Sequence, residues 1–144
     1  MSETYVKMDM FGGALQIGVR LWSKAQRKYR WTYLTLDTGA SVTVVSPEIL
    51  YQLGYDPLSD KATMTTASGV ERVRRFKLEK MVIGDIEIDD VEVYAHKFPE
   101  ECFSIGVVGL NVLRLFDIEL LFSKGIIKLK RLMPNAVGSS GENP

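Results

Sequence analysis

Five consecutive residues, Asp37-Thr38-Gly39-Ala40-Ser41, set a carboxylate, two hydroxyls and a glycine between the apolar runs Leu34-Thr35-Leu36 and Val42-Thr43-Val44-Val45. Both runs read as core strands, so the acid stands where a charge is expensive to bury unless it is hydrogen-bonded or used. Asp37 is therefore the candidate catalytic carboxylate. One carboxylate is half of an acid–base machine. Two carboxylates a few Å apart cannot both ionise; they share a proton, so one acts as base and the other as acid on a water between them. Such a pair titrates as a unit and works best at acidic to mildly acidic pH. Asp56-Pro57, Asp85-Ile86, Asp89-Asp90 and Asp117-Ile118 lack the flanking pattern of Asp37, and the chain has no internal repeat. The second acid must come from a second copy, and a two-fold dimer puts the same residue on its axis twice.

Other chemistries have little to work with. One His (His96) and one Cys (Cys102) cannot build a His/Cys metal site, and they make a poor nucleophile pair. The bland reading serves better: Cys102 as a small core or surface thiol, His96 as a loop residue. Glu87, Asp89 and Glu92 alternate with apolar residues and read as the solvent side of edge strands rather than as a metal cluster. No cofactor and no metal are expected. In a chain of 144 residues, enough for one core, 18 basic and 18 acidic residues cancel, which argues against nucleic-acid or membrane-surface partners. No apolar run reaches the ~20 residues of a membrane span, and Met1-Ser2-Glu3-Thr4 lacks a signal-peptide pattern. A lone cysteine excludes an intrachain disulfide, so a reducing, cytoplasmic setting is expected.

The elements that must position Asp37 follow from the patterning. Residues 1–13 read as a flexible lead-in broken by Gly12-Gly13, and 133–144 as a disordered tail, with one domain over 14–132. Leu15, Ile17, Val19 and Leu21 share one face of a strand. A polar loop at 23–28 leads to a second strand, about 29–36, with bulk on both faces and therefore central. After the Asp37 turn come a short strand at 42–45 and a helix opened by Ser46-Pro47-Glu48 and stopped near Gly54. Residues 62–75 form a polar hairpin that turns at Ala67-Ser68-Gly69 and projects from the body. The apolar phase slips at Asp89-Asp90, which predicts a turn or bulge. Residues 95–104 are a loop, Ser104 to Gly109 an apolar strand, and 110–116 a short helix. A hairpin over 117–131 turns at Ser123-Lys124-Gly125. Many short strands and one or two short helices predict an all-β barrel or sandwich.

A bare Asp-Thr-Gly arises by chance in a chain this size perhaps ~3% of the time, so its setting carries the argument. The run Leu34 to Ser41, the Thr66-Ala67-Ser68-Gly69 turn and Val107-Val108-Gly109-Leu110-Asn111-Val112-Leu113 resemble the retropepsin-like aspartic proteases, in particular their single-domain bacterial and archaeal members. The resemblance covers about residues 14–131. It implies an acid-protease barrel, one half of a pepsin-type fold, acting as a homodimeric endopeptidase on polypeptide substrates. Asp37 would be the catalytic acid, supported by Thr38, which bonds across the paired loops, by Gly39, which admits the substrate backbone, and by Ala40 and Ser41. Thr66, Ala67, Ser68, Gly69 and Val70 would form a substrate-binding flap, and Val107, Val108 and Gly109 would pack beside the catalytic loop. The sequence departs from the retroviral pattern in its single flap-tip glycine, Gly69, and in Leu110 where Arg is usual. Those departures motivate the alternative of a non-catalytic binding or scaffolding domain of the same fold, which would be a monomer that ignores peptides.

Overall fold

A computed structural model describes residues 3–99 and 105–133. In chain order the elements are β1 (Glu3–Lys7), β2 (Gln16–Ser23), β3 (Lys28–Leu36), β4 (Thr43–Val45), α1 (Pro47–Gln52), β5 (Lys61–Thr66) and β6 (Gly69–Ile83). They continue with β7 (Ile86–Ala95), β8 (Gly106–Val108), α2 (Leu110–Leu113), β9 (Phe116–Leu121) and β10 (Ile126–Arg131). The all-β expectation with two short helices holds. Strands β2-β3-β8-β4-β7-β6 lie side by side in that order, and β6 pairs back with β2 through Arg20↔Val82 and Leu21↔Met81. That closure makes a barrel whose ring has no free edge. Strand β5 hangs outside the ring on β6 alone, and β1-β10-β9 form a second, three-stranded sheet.

The barrel fills with the faces that alternation selects. Ile17, Val19 and Leu21 of β2 meet Leu34 of β3, Phe76, Leu78, Met81 and Ile83 of β6, and Val91 and Val93 of β7 in one core cluster. Ile127 and Leu129 extend this core under the second sheet. The slip at Asp89-Asp90 is real but is not a bulge. The β6–β7 register is the same on both sides, Leu78↔Val91 and Lys80↔Asp89, so no residue is inserted. Asp90 instead takes a left-handed φ of 53°, and the inward set changes phase on both strands, from Leu78 to Met81 and from Ile88 to Val91. Asp tolerates that region because its short side chain can bond locally.

Helix α1 has Pro47 in its first turn, but the Ser46 hydroxyl does not cap it; the Ser46 carbonyl accepts from Ile49 N–H at 3.2 Å instead. Its exit is fastened to the barrel by Tyr55, whose hydroxyl donates to Trp22 O at 2.7 Å and accepts from Glu79 N–H at 3.3 Å. Burial pushes that phenol from 10.0 up to about 12.

The flexible lead-in is corrected in part. Glu3–Lys7 form β1, paired antiparallel with β10 from Glu3↔Lys130 to Lys7↔Ile126. Thr4 is buried, and its hydroxyl accepts from Asp85 N–H at 3.1 Å, a long-range anchor that periodicity over five residues cannot reveal. Cys102, the end of the 95–104 loop, Ser104 and the tail from Pro134 lie outside the described residues.

Candidate active site

Asp37 follows directly on β3, and its N–H donates to Val108 O at 3.1 Å. Strand β8 lies between β3 and β4, parallel to the first (Leu36↔Val108) and antiparallel to the second (Val44↔Val107). The loop 37–42 that joins β3 to β4 must therefore cross the end of β8. Gly109 sits under that crossing. A Cβ there would stand 2.6 Å from the Val42 carbonyl carbon, 2.7 Å from Val42 O and 2.9 Å from Ala40 O. Only glycine allows backbone to pass this close.

The first turn of α2 then ties the loop down. Leu110 N–H donates to Ala40 O at 2.8 Å, and Asn111 N–H donates to Ser41 O at 3.1 Å. The Asn111 side-chain oxygen accepts from both Thr43 N–H (2.8 Å) and Thr43 Oγ1 (2.9 Å), while its amide nitrogen donates to Glu92 O at 2.9 Å. Thr43 Oγ1 in turn accepts from Gly109 N–H at 3.1 Å, and Thr43 has no exposed surface. A satisfied buried polar network of this kind fixes one backbone arrangement, because breaking any member strands the others. It holds the loop on which Asp37 rides.

Asp37 itself is half-buried, and Thr38 and Gly39 are exposed in the single chain. The expectation of a carboxylate parked inside the core is thus corrected: the loop crest faces outward. Oδ1 of Asp37 accepts from Gly39 N–H at 2.8 Å, an Asx-type turn. Among the described residues Oδ2 has no hydrogen-bond partner, and neither has the Thr38 hydroxyl.

Asp37 opens into a cleft of about 660 Å³. Gly39, Ala40, Ser41, Val42, Val44 and Val107 form its floor, and Thr63 to Thr66 of β5 form one wall. Tyr94, His96, Lys97, Phe98 and Pro99 form the other. Of the hairpin residues anticipated at the site, Thr66 lines the cleft while Ala67, Ser68, Gly69 and Val70 do not; Val70 is 68% exposed at the tip. The tip is closed by Thr66 Oγ1, which accepts from Ser68 N–H at 3.3 Å and donates to Gly69 O at 3.1 Å. Val107 reaches the cleft, whereas Val108 and Gly109 act behind it.

Sequence reasoning missed the far wall, which it read as plain loop. Parallel pairing of β7 with β4 (Thr43↔Val93 to Val45↔Ala95) carries residues 94–99 past the Asp37 loop. His96 N–H donates to Val45 O at 3.2 Å, its ring meets Phe98 edge-on at 5.9 Å, and its Nδ1 lies 4.0 Å from Glu71 Oε2 on β6. The available signal was Phe98-Pro99, apolar and stiff inside a polar stretch. Among the described residues no group of three or more His, Cys, Asp or Glu side chains is arranged to hold a metal ion.

Residues 29–115, from β3 through α2, match the family model described as "gag-polyprotein putative aspartyl protease". That span contains the Asp37 loop, the β5–β6 hairpin, the far wall and β8. No curated protein matches the sequence. Among solved structures the chain is similar to a retropepsin-like aspartic protease from Rickettsia conorii, with a TM-score of 0.60 over 90% of each chain at 19% identity. At that identity the likeness is one of fold. The chain belongs to the retropepsin-like aspartyl protease family.

Proposed function

We propose that the protein is a homodimeric aspartic endopeptidase whose active site is completed when two Asp37 loops meet. One observation carries the reading: among the described residues the only acid lining the cleft stands half-exposed on a rigidly tied loop, with one oxygen held by Gly39 and the other without a hydrogen-bond partner. In the dimer the two carboxylates share one proton. The ionised one takes a proton from water as the water oxygen adds to the scissile carbonyl carbon, and the protonated one gives its proton to the carbonyl oxygen. The resulting gem-diol collapses: one hydroxyl returns its proton to the ionised carboxylate as C=O forms and the C–N bond breaks. The nitrogen leaves with the proton of the other carboxyl group, so the pair again shares one proton. Thr38, exposed in the single chain, bonds across the interface to the partner's loop. The Gly39 backbone, beside Ala40 and Ser41, lies along the substrate. The β5–β6 hairpin acts as the flap through Thr66, with the exposed residues Ala67 to Val70 as its moving tip.

An extended peptide fits this cleft. Val42, Val44, Val107, Met64 and Phe98 offer apolar contacts for side chains beside the scissile bond. The lone cysteine of the sequence fits a reducing, cytoplasmic setting, and no described helix is long and apolar enough to cross a membrane.

The test is cleavage of a peptide library by the purified chain over a range of concentrations. Specific activity is expected to fall as the protein is diluted through its dimer dissociation constant, in step with mass measured by light scattering. Full specific activity in a strict monomer would contradict the reading.

A further inference from the structure

We infer that Lys97 selects substrates with an acidic side chain near the scissile bond; this rests on the endopeptidase reading and adds a substrate class to it. Among the described residues, the acidic and basic side chains lining the cleft are Asp37, His96 and Lys97. Asp37 is assigned to the water. His96 faces Glu71 at 4.0 Å, so its charge, when present, already has a partner. Lys97 is exposed on the far wall and makes no ion pair among the described residues. Acids elsewhere on the surface do have cations to meet: Asp60 and Glu92 hold Arg75, and Glu87 holds Lys80. Among the described residues the cleft thus presents one ammonium without an ion-pair partner, beside an apolar floor and hydroxyl-bearing walls (Thr63, Thr65, Tyr94).

An extended peptide crossing from Asp37 toward the 94–99 wall would bring side chains past that ammonium. An Asp or Glu there gains Coulomb attraction, and a Lys or Arg is repelled. The chain has formal net charge zero, so the preference comes from this local charge rather than from an overall field. The two-fold axis of the proposed dimer repeats Lys97 on the other side of the bond, so acids are favoured on either side.

The experiment compares kcat/KM for matched peptides that carry Glu or Lys at each position flanking one cleaved bond. Binding of the same peptides to the Asp37→Asn protein is read in parallel by fluorescence anisotropy. At one flanking position on each side of the bond Glu is expected to beat Lys by roughly fivefold, the scale of a single exposed ion pair. Lys97→Glu should invert that ratio, and raising salt to about 0.5 M should flatten it, because exposed charges are screened. Lys124→Glu in the β9–β10 turn makes the same change in net charge away from the cleft and should leave the ratio as it was. Cleavage with no acid preference, or a preference that Lys97→Glu leaves intact, overturns the inference and spares the endopeptidase reading. Acid-selective binding with no turnover in the unmodified protein sinks the endopeptidase reading and upholds the selectivity; peptide binding without selectivity overturns the inference there too.

Discussion

Asp37→Asn is expected to lower peptide cleavage by about 10⁴-fold, the upper range for loss of a positioned acid–base group. In the proposed dimer the substitution removes the proton shared by the pair and the ionisation that makes one member a base, at both positions at once. The fold should survive. The Asn side-chain oxygen can still accept from Gly39 N–H, now 2.8 Å from Oδ1, and the remaining ties of the loop run through Ala40, Ser41 and Thr43, not through the carboxylate. Thermal melts of the two proteins should therefore agree within a few degrees while kcat collapses. Wild-type turnover in Asp37→Asn would remove Asp37 from the chemistry.

Gly109→Ala should damage both stability and catalysis. Gly109 has an ordinary φ of −99°, so alanine meets no backbone strain, and the penalty is one of space alone. The methyl group would collide with Val42 and Ala40 backbone atoms at 2.6 to 2.9 Å, and those atoms cannot swing away as a side-chain tip would. Ala40 O is also engaged with Leu110 N–H. The loop must lift off β8. Overpacking of this kind costs about 1–3 kcal/mol. A catalytic group displaced by about 1 Å loses on the order of 10² in rate, so kcat should fall even at temperatures where the variant stays folded. Chemical denaturation and steady-state kinetics of the same sample check the two effects. A variant with unchanged denaturation midpoint and kcat would show that the crossing is not held tightly.

Both results turn on parts of the site that differ in how well the sequence displayed them. The Asp37 motif was legible because an acid and a glycine interrupt two apolar strands, and local alternation is what one chain segment can express. The Val107-Val108-Gly109 element was legible through its resemblance, but the reason Gly109 must be glycine is a contact with Val42 and Ala40, far off in sequence. The Asn111 network was invisible for the same reason: its partners are Thr43 and Glu92, and an Asn in a short helix carries no mark of what it will bond. Strand β1 was hidden because its pairing with β10 joins the two ends of the described chain. Residues 95–104 read as ordinary loop, and the part of 96–99 in the cleft wall stays hidden, because a segment's distance from Asp37 depends on parallel pairing of β7 with β4, which periodicity does not encode. Asp37 was expected to be buried because its flanking strands are; the crossing over β8 turns its loop outward instead.

That outward crest is where the central claim, a site made by two copies, meets a direct measurement. Unmodified chain and Asp37→Asn chain are mixed in equal amounts, allowed to exchange subunits, and assayed at the total concentration of an all-unmodified control. If each site needs both carboxylates, only dimers with two unmodified chains cleave, and activity should settle at about a quarter of the control by random pairing. Activity of about half the control would mean that each chain works alone, and would contradict the account.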